Sequence, residues 1–110
     1  MLFDSTPAIQ LEVEIIDKIL DILSTPDRWC KDQRVKGQSF CLIGARTMVF
    51  NEYSFGERTD HAKIKVAWAL RQEAVRRNFR GVVHFNDFWR TTHSDVIDFL
   101  MKVRESLATS

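Results

Sequence analysis

Apolar residues recur at Ile9, Val13, Ile16, Leu20 and Leu23, at spacings of 4, 3, 4 and 3. That spacing marks one face of a helix, because about 3.6 residues complete a turn. Ile15, Ile19 and Ile22 flank the stripe and widen the apolar arc to about 200°. Glu14, Asp17, Lys18 and Asp21 fall on the other face. Thr6 followed by Pro7 predicts the start, a hydroxyl cap and then a proline at the first helical position. Pro26 predicts the end. An element this apolar belongs at the centre of a core.

Residues 27–38 read as a connector that contains Gly37 and is anchored to the core by Trp29 and Cys30. Ser39 predicts the cap of a second helix over 39–53. Cys41, Gly44, Ala45 and Met48 share one side of it, and three of them are small, so another helix backbone can approach closely. A turn over 54–60 leads to a third helix, capped by Thr59 or Asp60 and reaching about residue 78. Its stripe is Ile64, Ala67, Trp68, Ala74 and Val75, with Arg71 in the middle. A buried, unpaired arginine costs several kcal/mol. Arg71 therefore either reaches the rim or meets a carboxylate, and Asp87 is the candidate. Lys65, Gln72, Arg76 and Arg80 share the opposite, exposed face.

After Gly81 the run VVHFNDFW reads as a short extended segment near 82–86, closed by an Asx-type turn at Asn86 and Asp87. Thr92 and Asp95 form a capping box with Asp in place of Glu. Val96, Leu100, Val103 and Leu107 are the inner stripe of a last helix. Repeats, low-complexity segments and dividing linkers are absent from the sequence. The expected object is one all-α domain over 1–110, a bundle of about four helices with one short extended segment.

Composition changes this picture little. Of 110 residues, 45% are apolar and 28% charged, as in ordinary globular domains. The longest apolar run, from Val66 to Leu70, is far too short to cross a bilayer. A secretory leader is not visible, so both cysteines are expected as thiols in a cytosolic protein. Charge is more informative. The net value is +1, yet 1–27 carries six acidic side chains against Lys18, and 58–80 carries seven basic ones against Asp60 and Glu73. The two regions either attract each other within the fold or form a surface for an acidic partner or nucleic acid.

Trp29-Cys30, Cys41-x-x-Gly44-Ala45, Phe85-Asn86-Asp87 and Thr92-x-x-Asp95-Val96-Ile97-x-x-Leu100, in that order, resemble a family of small uncharacterised bacterial and phage helical proteins. The resemblance covers roughly residues 10–107. It departs at the basic stretch 31–36 and at Trp89-Arg90. It implies a helical fold and a bacterial, phage or mobile-element setting, and no activity.

Four chemistries compete for the polar residues. Cys30 and Cys41 are ten residues apart in a basic context, and a disulfide there would require an oxidising compartment. A metal would have to draw on Cys30, Cys41, His61, His84 and His93, whose spacings match none of the usual zinc patterns. A cysteine nucleophile would be Cys41 near a helix N-terminus, with Gln38 aiding an oxyanion, His84 as base and Asn86 or Asp87 as its orienter. Nucleic acid would use Lys31, Arg34, Lys36, Lys65, Arg76, Arg77 and Arg80 beside Trp89-Arg90. The expectation that fits best is a cytoplasmic interaction or regulatory module, without cofactor or metal, whose partner is another protein. Its expected contact surface is Lys31, Arg34, Lys36, Arg76, Arg80 and Trp89, with Trp29, Cys30, Arg71 and Asp87 structural.

Overall fold

The computed structural model describes residues 10–109, so the Thr6-Pro7 cap and Ile9 lie outside it. Helix α1 spans Leu11–Ile22. Ile15, Ile16, Ile19 and Leu23 lose all their exposed surface, while Leu20 and Ile22 pack at the margin. Full burial of each such side chain is worth roughly 1.5–3 kcal/mol, which makes this helix the centre of the domain. Pro26 does not end α1. It opens a separate 3-10 turn, Pro26–Arg28, where a missing N–H costs nothing.

The connector holds an unexpected hairpin, β1 (Val35–Lys36) against β2 (Ser39–Phe40), with Val35 opposite Phe40. Gly37 turns it at φ +62°, a left-handed conformation that glycine adopts without strain. Helix α2, Leu42–Phe50, then begins later than expected, with Cys41 rather than Ser39 as its N-cap. Met48 is exposed, so only Cys41, Gly44 and Ala45 of the small-residue face are buried. Nor is it a helix that approaches them. A Cβ on Gly44 would lie 2.0 Å from the carbonyl oxygen of Arg34, and that same oxygen accepts the Cys41 N–H at 3.1 Å.

Helix α3 spans Glu57–Arg76. Thr59 does not cap it; its hydroxyl donates to the Ser54 carbonyl at 2.8 Å, and the helix starts ahead of it. The C-terminus closes in a Schellman arrangement. Asn78 sits at φ +72° and the Phe79 N–H reaches the Ala74 carbonyl at 2.9 Å. Most of the expected inner stripe faces outward; of its members only Ala74 is fully buried, and Ala67 is partly so. Ala62, Val66, Leu70 and Ala74 face the core, whereas Ile64 is 65% and Trp68 56% exposed, and Val75 also faces outward. The two stripes point about 160° apart at roughly 100° per residue. The smaller set faces inward because the isoleucines of α1 already fill the space between the two helices, and facing large against small lets them close.

Residues 82–86 are not extended. They belong to α4, Val82–Asp87, whose buried residues Val82, Phe85 and Asn86 follow helical spacing. Helix α5, His93–Ala108, carries the expected capping box: the Thr92 hydroxyl accepts the Asp95 N–H at 3.2 Å, and the Asp95 carboxylate accepts the Thr92 N–H at 2.9 Å. Val96, Phe99, Leu100, Val103 and Leu107 bury its inner face, and Phe99 stacks on Phe85 with ring centres 4.4 Å apart. The described residues form a small all-α domain of five helices with a two-stranded hairpin. Among the described residues, no helix is long and apolar enough to cross a membrane.

Replacing a helical glycine by alanine ordinarily stabilises by up to about 1 kcal/mol. Gly44→Ala should do the reverse, lowering unfolding free energy by about 1–3 kcal/mol through overpacking against backbone. Urea denaturation of the two chains measures the sign directly.

Candidate functional site

Asn86 is 1% exposed, and its amide joins three segments. Its Oδ1 accepts the Trp29 indole N–H at 2.7 Å and the Leu42 N–H at 3.1 Å. Its Nδ2 donates to the Cys30 carbonyl at 3.1 Å and to Asp87 Oδ1 at 2.8 Å. Two obligate donors on one side and two acceptors on the other fix the orientation of the amide. Asp87 also accepts the Asp32 N–H at 2.9 Å, and Lys31 Nζ donates to the Phe88 carbonyl at 2.6 Å. The FND segment is thus the clamp that holds the connector and hairpin to α2 and α4.

This network separates the residues of the nucleophile reading. Cys41 is buried, and its sulfur accepts the Gly44 N–H at 3.3 Å as a helix cap. His84 Nδ1 accepts the Arg80 N–H at 3.0 Å, and its ring packs edge-on to Phe79 and Phe88. Asn86 is committed to the clamp. Among the described residues no hydrogen bond links Cys41 with His84 or His84 with Asn86. Cys30 and Cys41 are both free thiols, and burial is the main cause pushing the Cys30 thiol above its ordinary pKa, with Cys41 adding to it. Among the described residues no group of three or more His, Cys, Asp or Glu is arranged to hold a metal ion.

The basic residues separate as well. Lys31 is tied to the Phe88 carbonyl. Arg76 donates to the buried Glu73, and Arg77 bridges Glu73 to Asp98 while lying over Phe85 and Phe99. Arg34, Lys36 and Arg80 are exposed, and Trp89 is 77% exposed with the Arg90 guanidinium 5.0 Å from its ring centre. The expected Arg71–Asp87 pair does not form. Asp87 is engaged by Asn86 and Asp32, and Arg71 lies at the surface, 5.7 Å from the Trp68 ring. The outward rotation of its stripe is the reason.

That rotation creates a feature outside the expected surface. A groove of about 470 Å³ runs between α2, α3 and α4, lined by Ile43, Arg46, Ile64, Trp68, Arg71 and Val83. The volume lies within the range of ligand-binding clefts. Arg46 is half-buried over Phe50, and its Nε is shielded from solvent without an acceptor. Burial, and then the nearby charge of Arg34, lower its pKa from the ordinary arginine value. Among the described residues no carboxylate pairs with Arg34, Arg46 or Arg71. One signal for this site was present in the sequence: an arginine midway along an apolar stripe is what an outward-facing stripe tolerates.

A small five-helix domain, clamped by a buried amide and bearing an arginine-bordered apolar groove, is the class of object defined so far. Residues 9–106 match the model of a family described as "Family of unknown function (DUF6197)", and the chain belongs to that family. Neither a curated protein nor a solved structure matches it.

Asn86→Asp keeps the shape but sets an oxygen against the Cys30 carbonyl and the Asp87 carboxylate. It should lower stability by about 2–4 kcal/mol, because buried groups are left facing like partners. Trp29→Phe, which removes one bond and replaces the indole with a smaller ring, should cost about 1–3 kcal/mol; denaturant melts compare them. The raised Cys30 pKa lowers its thiolate fraction near neutral pH. Alkylation of the native chain at pH 7 should therefore be slower than that of a free thiol, accelerate as pH rises, and become fast for both cysteines on unfolding.

Proposed function

We propose that this protein is an interaction or regulatory module that works by binding another protein, and that its contact face is the groove between α2, α3 and α4. One observation carries the reading: α3 is apolar on two opposite faces, and among the described residues only one of them is covered. A helix apolar on both sides is ordinarily buried on both. Exposed large apolar side chains gathered beside unpaired cations mark a contact surface rather than a solvated one. Binding rather than catalysis is supported by Cys41, whose sulfur is spent on capping α2, and by His84, whose Nδ1 is spent on Arg80. A cytoplasmic setting and a bacterial, phage or mobile-element origin complete the reading.

A photo-crosslinking residue placed at Ile64 or Val83, in cells that naturally contain the protein, tests it. A discrete protein adduct should form there, disappear with Trp68→Glu, and be absent when the residue is placed at the remote, exposed Lys102. Equal labelling from Lys102, or retention of the adduct in Trp68→Glu, would contradict the assignment of this face.

A second reading has its own observation, the exposed Trp89 with Arg90 against its ring. Such a pair suits stacking of unpaired bases. If it operates, a single-stranded oligonucleotide should bind with steep salt dependence and lose affinity by about tenfold on Trp89→Ala, since one stacked base is worth about 1–3 kcal/mol. No binding at low salt ends this alternative.

A further inference from the structure

The chemistry of the groove identifies what kind of segment would fill it; this rests on the groove being the contact face. Along α3 the exposed residues Ile64, Trp68, Arg71 and Val75 recur at spacings of 4, 3 and 4. That is the period of a helix designed to lie along another helix. The stripe is about 16 Å long at 1.5 Å per residue, about three turns of a partner helix. Val83 on α4 and Ile43 on α2 supply the other wall. An open, largely apolar groove beside this stripe fits the helix-in-groove mode, in which residues at i, i+4 and i+7 enter side by side.

Charge decides the composition of that helix. Arg46 and Arg71 line the channel, and Arg34 is close enough to lower the Arg46 pKa. The described carboxylates that form ion pairs form them elsewhere: Glu12 with Lys65, Asp17 with Arg104, Glu52 with Lys18, Glu73 and Asp98 with Arg77. Covering the groove with an apolar or basic segment would bury cations against nothing, at high cost. A second copy of this chain would do the same, bringing two sets of these arginines together. A carboxylate can instead take the exposed fork of Arg71 and bring a counter-charge beside the half-buried Arg46.

We propose that the groove between α2, α3 and α4 receives an acidic amphipathic helix of a partner protein, with its apolar face on Ile64, Trp68 and Val83 and its Asp or Glu side chains on Arg46 and Arg71.

The probe is a displayed library of random peptides, each about 16 residues and so long enough for four turns, selected on the full chain. Peptides that survive are measured singly by fluorescence anisotropy against the wild type, Trp68→Glu, the double variant Arg46→Gln/Arg71→Gln, and Lys102→Glu. Trp68 is at the surface, so Trp68→Glu should melt like the wild type, and circular dichroism confirms that the double variant, which also changes the half-buried Arg46, keeps its helical fold. The selected peptides should carry Asp or Glu beside apolar residues at helical spacing and gain helicity on binding. They should weaken at least about tenfold with Trp68→Glu, weaken about tenfold with the arginine pair changed, as expected for lost charge-assisted bonds, and ignore Lys102→Glu. Peptides without acidic residues, or acidic ones indifferent to the arginine changes, overturn the proposal. Peptides that bind Trp68→Glu as tightly as wild type sit on another face; they overturn the groove assignment and leave a binding module standing. Failure to enrich any peptide sinks both readings. Sedimentation as a dimer that Trp68→Glu makes monomeric gives the face to a second copy and overturns the proposal too.

Discussion

Everything around the groove depends on the amide of Asn86. An apolar side chain there would leave the Leu42 N–H, the Cys30 carbonyl and the Trp29 indole N–H without partners, and a carboxylate would repel two of its neighbours. Only an amide offers donors and acceptors on opposite sides of one plane. Because Asn86 is on α4, Leu42 opens α2 and Cys30 follows the 3-10 turn, a single side chain sets the relation of three segments that share no continuous backbone ladder. The groove walls Ile43 and Val83 belong to two of those three segments. Their spacing follows from the clamp.

The same region shows why some of the fold was legible in the sequence and some was not. Helices α1 and α5 were readable because each carries one uninterrupted stripe, and α5 adds a clear boundary in its capping box. Helix α4 was not. Its start, Val-Val-His-Phe, has the β-branched and aromatic composition of a strand, and Asn-Asp is ordinary turn chemistry. The helical period emerges only when Asn86 is counted as inward-facing with Val82 and Phe85, and polar residues are normally excluded from such a count. The FND turn was therefore recognised as a pattern and misread as a conformation. The hairpin escaped for another reason: two-residue strands are too short to show any alternation.

Helix α3 poses a different problem, since its sequence supports two answers. Ile64, Ala67, Trp68 and Val75 outweigh Ala62, Val66, Leu70 and Ala74 in apolar volume, so patterning alone selects the wrong face. Packing reverses the choice because α1 has already claimed that volume. Arg71 was the discriminating residue. Its position forced a rim, a partner or an outward stripe, and the outward stripe is the outcome. The groove is visible only once the core is assigned, and its lining residues Ile43, Arg46 and Val83 lie outside the expected surface. A region of like charge in the sequence is a coarse guide for the same reason. Lys31, Arg76 and Arg77 are consumed by the fold, and their charges say little about partners.

Two polar groups set inside apolar surroundings finally stand in contrast. Asn86 is almost fully buried and has every hydrogen-bonding position met, which makes it a source of specificity in the fold. Arg46 is half-buried and keeps one shielded N–H unmet, with a second arginine nearby and no carboxylate. The first arrangement is complete within the chain. The second costs stability in the isolated domain, as any unsatisfied buried donor does, and under the proposed binding mode a carboxylate in the groove would offset the uncompensated charge beside it. An interaction face that is slightly unfavourable when empty gains affinity from that offset as well as from new contacts. The offset is specific, because only an acidic group supplies it. Specificity for an acidic segment would then arise from what the free domain lacks as much as from what the groove presents.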